Sequence, residues 1–189
     1  MGYFQNFPRT RHQGVDASWQ AELGALSLDA SASLLRATYQ ADGTLRMGER
    51  NVVVTPGTRM AGLPKHVIKV GGDWRISPQW SIGADLQRFG GRVVQGNEDG
   101  LVEDGATERV DLGLPGYSVA NLRMSWRPRS GVELFARVNN VFDKRYATYG
   151  AIAETVFDAQ GNYTGDEADA LFVAPGAPRS VFVGLRLSF

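Results

Sequence analysis

The sequence predicts an all-β chain, an antiparallel meander of about seven strands, on three observations. Apolar residues recur at every second position in seven stretches, and the connections between those stretches alternate short and long. All four tryptophans then fall at the short-connection end. Period two gives each strand one oily and one polar face, because successive side chains point to opposite sides of a strand. No run of about 18 apolar residues exists, so no helix is expected to cross a bilayer. A closed barrel of alternating strands can cross one at low average hydropathy, and the mean hydropathy here is -0.22.

The first strand is expected over His12 to Gln20, with Val15, Ala17 and Trp19 opposite Gly14, Asp16 and Ser18. A short link at Ala21 to Ala25 leads into Leu26 to Tyr39, where Leu26, Leu28, Ala30, Ala32 and Leu34 oppose Ser27, Asp29, Ser31 and Ser33. Residues Gln40 to Lys65 are punctuated by Gly43, Gly48, Pro56, Gly57, Gly62 and Pro64 and read as a long loop. His66 to Trp74 and Trp80 to Phe89 follow as strands joined through Ser77-Pro78. A second long loop, Gly90 to Gly116, is rich in glycine and acid. Tyr117 to Trp126 is the next strand, and the turn Arg127 to Gly131 returns the chain into Val132 to about Tyr146. In that last stretch Asn140 would fall on the apolar face, which requires a bulge or an exit from hydrocarbon. A third long loop, Gly150 to Ala177, precedes a terminal strand in which Val181, Val183, Leu185, Leu187 and Phe189 share one face.

Folded as a meander, these stretches put every short turn at one end and every long loop at the other, the asymmetry of outer-membrane barrels. Trp19, Trp74, Trp80 and Trp126 then form a belt at the short-turn end, where an indole ring sits in apolar surroundings while its N–H stays wet. Tyr39, Phe89, Tyr117 and Tyr146 fall at the opposite ends and are expected to supply a second belt. A soluble antiparallel sheet acting as a binding module gives no reason for the tryptophans to segregate. A passive pore assembled from several chains is a further alternative, awkward for an odd strand number per chain.

Composition excludes several classes. Twenty basic and twenty acidic residues balance, and no cluster of Lys and Arg suggests nucleic acid. The absence of cysteine rules out disulfides and thiolate chemistry. Residues Met1 to Asn6 have neither the basic region nor the apolar core of an export signal. The two histidines, His12 and His66, have no second histidine at metal-ligand spacing, and no nucleophile elbow, P-loop or dinucleotide fingerprint occurs. No catalytic residue, metal or cofactor is therefore expected. Asp158 to Asp169 partly imitates a calcium loop but places Tyr163 where glycine makes the sharp turn, so it reads as a solvated acidic loop. The last two long loops carry eleven acids against Arg92 and Arg109, which predicts a mouth unfavourable to strongly anionic ligands.

Several segments carry a family resemblance. Val138-Asn139-Asn140-Val141-Phe142-Asp143-Lys144-Arg145-Tyr146, then Pro178-Arg179-Ser180 and the strand to Phe189, resemble the carboxy-terminal end of TonB-dependent outer-membrane receptors. Arg9 to Asp16 resembles an Arg-x-x-Gly-Val-Glu strand start of that family, with Asp16 for Glu, and Pro64-Lys65-His66 resembles its Pro-x-His. The resemblance implies the C-terminal portion of a 22-stranded transmembrane barrel in the outer membrane, plugged by an N-terminal domain. It also implies uptake of a scarce small molecule such as a ferric siderophore, haem or cobalamin, energised by TonB through an N-terminal box. Neither plug nor box is found here, so residues 1–189 are expected to be a partial barrel, and TonB a partner only through the missing part. Seven strands alone would leave two open edges in lipid, where unpaired backbone groups cost several kcal/mol each.

The resemblance also suggests that Gly184, Leu187 and Phe189 match the signal read by the outer-membrane assembly machinery, with Phe182 departing from the polar residue often found at its start. On the polar face, Asp85, Arg123, Glu133, Arg137 and Arg186 are expected to look into the lumen, lining a hydrated wall or touching plug or ligand.

Overall fold

The computed structural model describes residues 7–47, 50–102 and 107–188, so Phe189, Glu103 and Asp104 lie outside the described residues. Thirteen strands run in chain order: β1 (Thr10–Leu23), β2 (Leu26–Tyr39), β3 (Gly43–Met47), β4 (Arg50–Val54), β5 (His66–Arg75), β6 (Trp80–Phe89), β7 (Arg92–Val93), β8 (Gly113–Leu114), β9 (Tyr117–Arg129), β10 (Val132–Asn139), β11 (Ala147–Phe157), β12 (Tyr163–Pro175) and β13 (Ser180–Leu187). Seven of them, in the order β1-β2-β5-β6-β9-β10-β13, form one antiparallel meander. Within this sheet β1 and β13 each pair on one side only.

The register explains the alternation. Leu23, Leu26, Trp74, Ile82, Met124, Ala136 and Val183 are successive cross-strand partners through all seven strands. One residue along, Glu22, Ser27, Asp73, Gly83, Arg123, Arg137 and Phe182 make the next row. Adjacent rows face opposite sides, so the first belongs to a continuous apolar surface and the second to a polar one. A slip of one residue would exchange the two faces, and for that reason the register is strongly specified.

Among the described residues no second layer covers the apolar face. Val15 is 65% exposed, Leu34 58%, Val181 65% and Val183 76%. The chain exposes 12988 Å², against about 8,900 Å² expected for a compact soluble monomer of this mass. An excess of that size, together with a row of exposed aliphatic side chains on one face, marks a surface built to be covered. Burying one such side chain in an apolar medium contributes about 1.5–3 kcal/mol.

The long connections differ from the irregular loops expected from their glycines and prolines. Each holds a hairpin, β3–β4, β7–β8 and β11–β12. The β11–β12 hairpin is mostly solvent-exposed, so its sequence needs no strict alternation and gives no period-two signal. Strand limits shift as well. β1 and β9 run past their expected ends, while β10 stops at Asn139 rather than near Tyr146. The cause is Asn140, whose φ of 50° leaves the extended region. Its side chain holds the turn open-ended, accepting from the Lys144 N–H at 2.9 Å and donating to the Lys144 carbonyl at 3.0 Å.

The expected second aromatic belt is not formed by the residues proposed for it. Tyr39 is buried with Val52 and Val54 in a small core under the first long connection. Phe89, Tyr117 and Tyr146 stack in sequence, with centroids 5.0 and 4.2 Å apart. Phe89 and Tyr117 are direct cross-strand partners on the polar face. Their position at strand ends was legible, but their phase along the strand puts them on the other side from the tryptophans.

Candidate functional site

The five charged residues expected on the inner wall all occupy the polar face, and β5 to β13 bring four of them into two groups. In the first, Arg123 on β9 donates Nε to Asp73 Oδ1 at 2.8 Å and Nη2 to Asp73 Oδ2 at 2.5 Å. Its Nη1 reaches Asp85 Oδ1 at 3.2 Å. Gly83 lies opposite Arg123, and a Cβ there would meet Arg123 Nε at 2.5 Å, so glycine is what lets the guanidinium lie flat on the sheet. Asp85 also accepts from Asn121 Nδ2 at 2.7 Å, and Asn121 Oδ1 accepts the backbone N–H of Asn140 at 3.0 Å. A polar chain therefore runs from mid-wall to the turn where β10 ends.

In the second group, Glu133 on β10 takes Arg186 Nη1 on one oxygen and Arg127 Nη2 on the other, each at 3.0 Å. Arg137 stands between the groups, paired in register with Arg123 and Phe182. No hydrogen bond or ion pair among the described residues engages its guanidinium. The groups border a shallow groove of about 630 Å³ that also contains Phe135, Arg137 and Phe182. Asp73 escaped attention in the sequence because it is one of many polar alternates; only the register shows that it is the main partner of Arg123.

Of the suggested assembly signal, Gly184 has a packing role that the sequence did not reveal, and Phe189 lies outside the described residues. Gly184 faces Phe135 across β10 and β13, and the Phe135 ring occupies the space a Cβ at Gly184 would need. Leu187 is half-exposed on the apolar face opposite Val132. Trp19, Trp74, Trp80 and Trp126 share the apolar face at the short-turn end, with Trp80 and Trp126 stacked at 5.4 Å and 16°. Such a pair contributes about 0.5–1.5 kcal/mol beyond its buried area.

At the other end the three long connections are fastened together by Arg50. Its side chain is 4% exposed and pairs with Asp99 at 3.5 Å and Asp169 at 3.1 Å. It also donates to the carbonyls of Gly96 at 2.9 Å, Leu101 at 2.5 Å, and Val102. One cation thus joins the β4 strand, the loop after β7 and the β12 strand. Beside it, burial raises the Glu98 carboxyl above its ordinary value, partly opposed by the N–H of Gly96, which donates to it at 2.9 Å. Two of the loop acids are therefore matched by an arginine from the first connection, which softens the acidic mouth expected from the last two loops alone. Asp158 sits in a turn, where hydrogen bonds from the Asn162 side chain and backbone hold its carboxyl below the usual range. Among the described residues no group of three or more His, Cys, Asp or Glu is placed to hold a metal ion.

Comparison with known proteins agrees with this architecture. A family model described as TonB dependent receptor-like, beta-barrel, matches residues 2–141. The metal-pseudopaline receptor CntO of Pseudomonas aeruginosa is 26% identical over 190 residues, covering 100% of this chain and 22% of the relative. The siderophore receptor PiuA of Acinetobacter baumannii superimposes with a TM-score of 0.70 at 14% identity, over 94% of this chain and 22% of that one. The ferric yersiniabactin uptake receptor FyuA of Yersinia pestis gives 0.65 at 16% identity, over 95% and 24%. The chain thus spans between a fifth and a quarter of the length of these proteins.

Proposed function

Because the chain belongs to the TonB-dependent receptor β-barrel family, we propose that it is the C-terminal wall of an outer-membrane receptor for energised uptake of a scarce small ligand. A metal or iron complex of a siderophore type is the ligand class this reading favours, since the similar proteins include a siderophore receptor and a metal-pseudopaline receptor. The observation that carries it is the pair of faces in register across seven strands, one aliphatic and uncovered, the other charged. A wall between hydrocarbon and an aqueous lumen needs that division.

In the complete receptor the free edges of β1 and β13 pair with strands outside residues 1–189, which closes the barrel and satisfies their backbone groups. Asp85, Arg123, Glu133, Arg137 and Arg186 then line the lumen. Trp19, Trp74, Trp80 and Trp126 sit at the periplasmic border, and Gly184, Leu187 and Phe189 present the strand end to the assembly machinery. TonB engages the N-terminal part. These residues supply a polar wall and no chemical step.

Disruption of the locus in its own bacterium tests the reading. Uptake of radioactive iron or nickel presented as a siderophore-type complex should fall to background and be restored by the intact locus, and restoration should require TonB. Unchanged uptake of every complex tried, or restoration in cells lacking TonB, contradicts it.

A further inference from the structure

On the apolar face, the paired positions of β1, β2, β5 and β6 carry no Asp or Glu, yet three arginines occur there, Arg11, Arg36 and Arg88, all toward the long-loop end. Arg11 pairs with Thr38 and Arg36 with Gln13, so the two arginines are diagonal neighbours about 7–8 Å apart along the sheet. Between them lies a groove of about 310 Å³, lined by Arg11, Gln13, Arg36, Thr38, Gln40 and the Pro56-Gly57 turn. Gln40 donates Nε2 to Thr38 Oγ1 at 2.8 Å, which fixes one wall. Both arginines are exposed, and no hydrogen bond or ion pair among the described residues uses either guanidinium.

The next pair on the same face is Val15 opposite Leu34, where the uncovered aliphatic surface begins. An occupant of the groove therefore meets two cationic forks at one end and continues directly onto hydrocarbon. Guanidinium groups match phosphate oxygens in pairs, and a phosphorylated headgroup with acyl chains is the chemistry that satisfies both halves at once.

We propose that the Arg11–Arg36 groove binds the phosphate of a phosphorylated lipid headgroup in the outer leaflet. The proposal rests on the outer-membrane barrel reading and adds a lipid site on the outside of the wall. Simple snorkelling of arginine stems along the apolar surface, the competing explanation, needs no phosphate.

The test is chemical modification of arginine by phenylglyoxal in isolated outer membranes, mapped peptide by peptide, before and after the lipid phosphates are removed with a phosphatase. Recovery of the chain in the outer-membrane fraction reports on the barrel reading separately. Arg11 and Arg36 should react several-fold more slowly while the lipids keep their phosphates, with Arg123 on the opposite face unchanged. Equal rates before and after phosphatase treatment would overturn the proposal. So would full protection by millimolar inorganic phosphate in treated membranes, which would assign the groove to a free anion. In the complete receptor purified in detergent, with folding checked by circular dichroism, Arg11→Gln/Arg36→Gln should bind diphosphoryl lipid A at least tenfold more weakly than the unaltered receptor. Both should bind dephosphorylated lipid A equally. Undiminished binding of diphosphoryl lipid A by the double variant likewise overturns the site.

Discussion

Arg123 and Asp73 are joined by two parallel hydrogen bonds on the polar face, Nε to Oδ1 at 2.8 Å and Nη2 to Oδ2 at 2.5 Å, over a glycine that leaves them room. Asp85 shares the same guanidinium at 3.2 Å. Removing Arg123 leaves two neighbouring carboxylates without their cation. Both groups are partly exposed, so solvent screening limits the cost to about 1 kcal/mol. Arg123→Ala should lower the unfolding free energy of the complete receptor in detergent, from urea titration, by that amount, and Arg123→Lys should recover only part because a single ammonium cannot reproduce the fork. Gly83→Val should be worse than either, since its side chain collides with the pair.

Phe135 and Gly184 provide a second, sharper test. If Gly184 serves assembly alone, substituting it should be independent of Phe135. If the ring contact matters, Gly184→Ala should lower the level of folded protein in the outer membrane, and Phe135→Ala in the same chain should restore part of it by vacating the space. Heat-modified gel mobility of membrane fractions reads both.

Arg50 holds three connections through two carboxylates and three carbonyls. Arg50→Ala strands buried acceptors and charges, a loss of about 3 kcal/mol or more in local stability. Hydrogen exchange should then accelerate in β4, in residues 96–102 and in β12, while the seven-stranded sheet keeps its protection. Acceleration spread evenly through the sheet would show that the hub acts on the whole wall.

Glu98 adds a pH dependence to the same region. Its folded pKa is raised, so the folded loop binds the proton more tightly than the unfolded chain does. Its unfavourable contribution is absent below the unfolded pKa and fully present above the folded one. Protection factors around residues 96–102, taken relative to the intrinsic exchange rate at each pH, should therefore rise as pH falls through that window, and Glu98→Gln should remove this dependence. Asp158 has the opposite sign. Its depressed carboxyl supports the β11–β12 turn above the unfolded pKa, and that support is lost as pH falls through the folded pKa.

Strand phase was legible in the sequence wherever one face is uncovered and aliphatic and the other polar. That Leu26, Trp74 and Ile82 take one face of their strands, and Ser27, Asp73 and Gly83 the other, follows from alternation alone. The family was legible from the Val138 to Tyr146 and Pro178 to Ser180 segments together with the final strand. What escaped lies in the long connections and at the strand ends, away from the aliphatic face. The β11–β12 hairpin needs no alternation, Arg50 stood in a stretch read as loop, and the stack of Phe89, Tyr117 and Tyr146 depends on which face a strand-end residue takes. Partnerships such as Arg123 with Asp73 are set by register between strands about 50 residues apart, which no local pattern encodes.

The two faces of this sheet divide lipid from water. The chain has no cysteine, so single cysteines can be placed at each position from Val181 to Leu187 and tested in the outer membrane with a water-soluble maleimide. Positions 182 and 186 should react, and 184 in a chain that also carries Phe135→Ala, while 181, 183, 185 and 187 should be protected and become reactive once the membrane is dissolved in detergent. Reactivity without a two-residue period, or protection on the polar face instead, would show that the aliphatic face does not meet lipid.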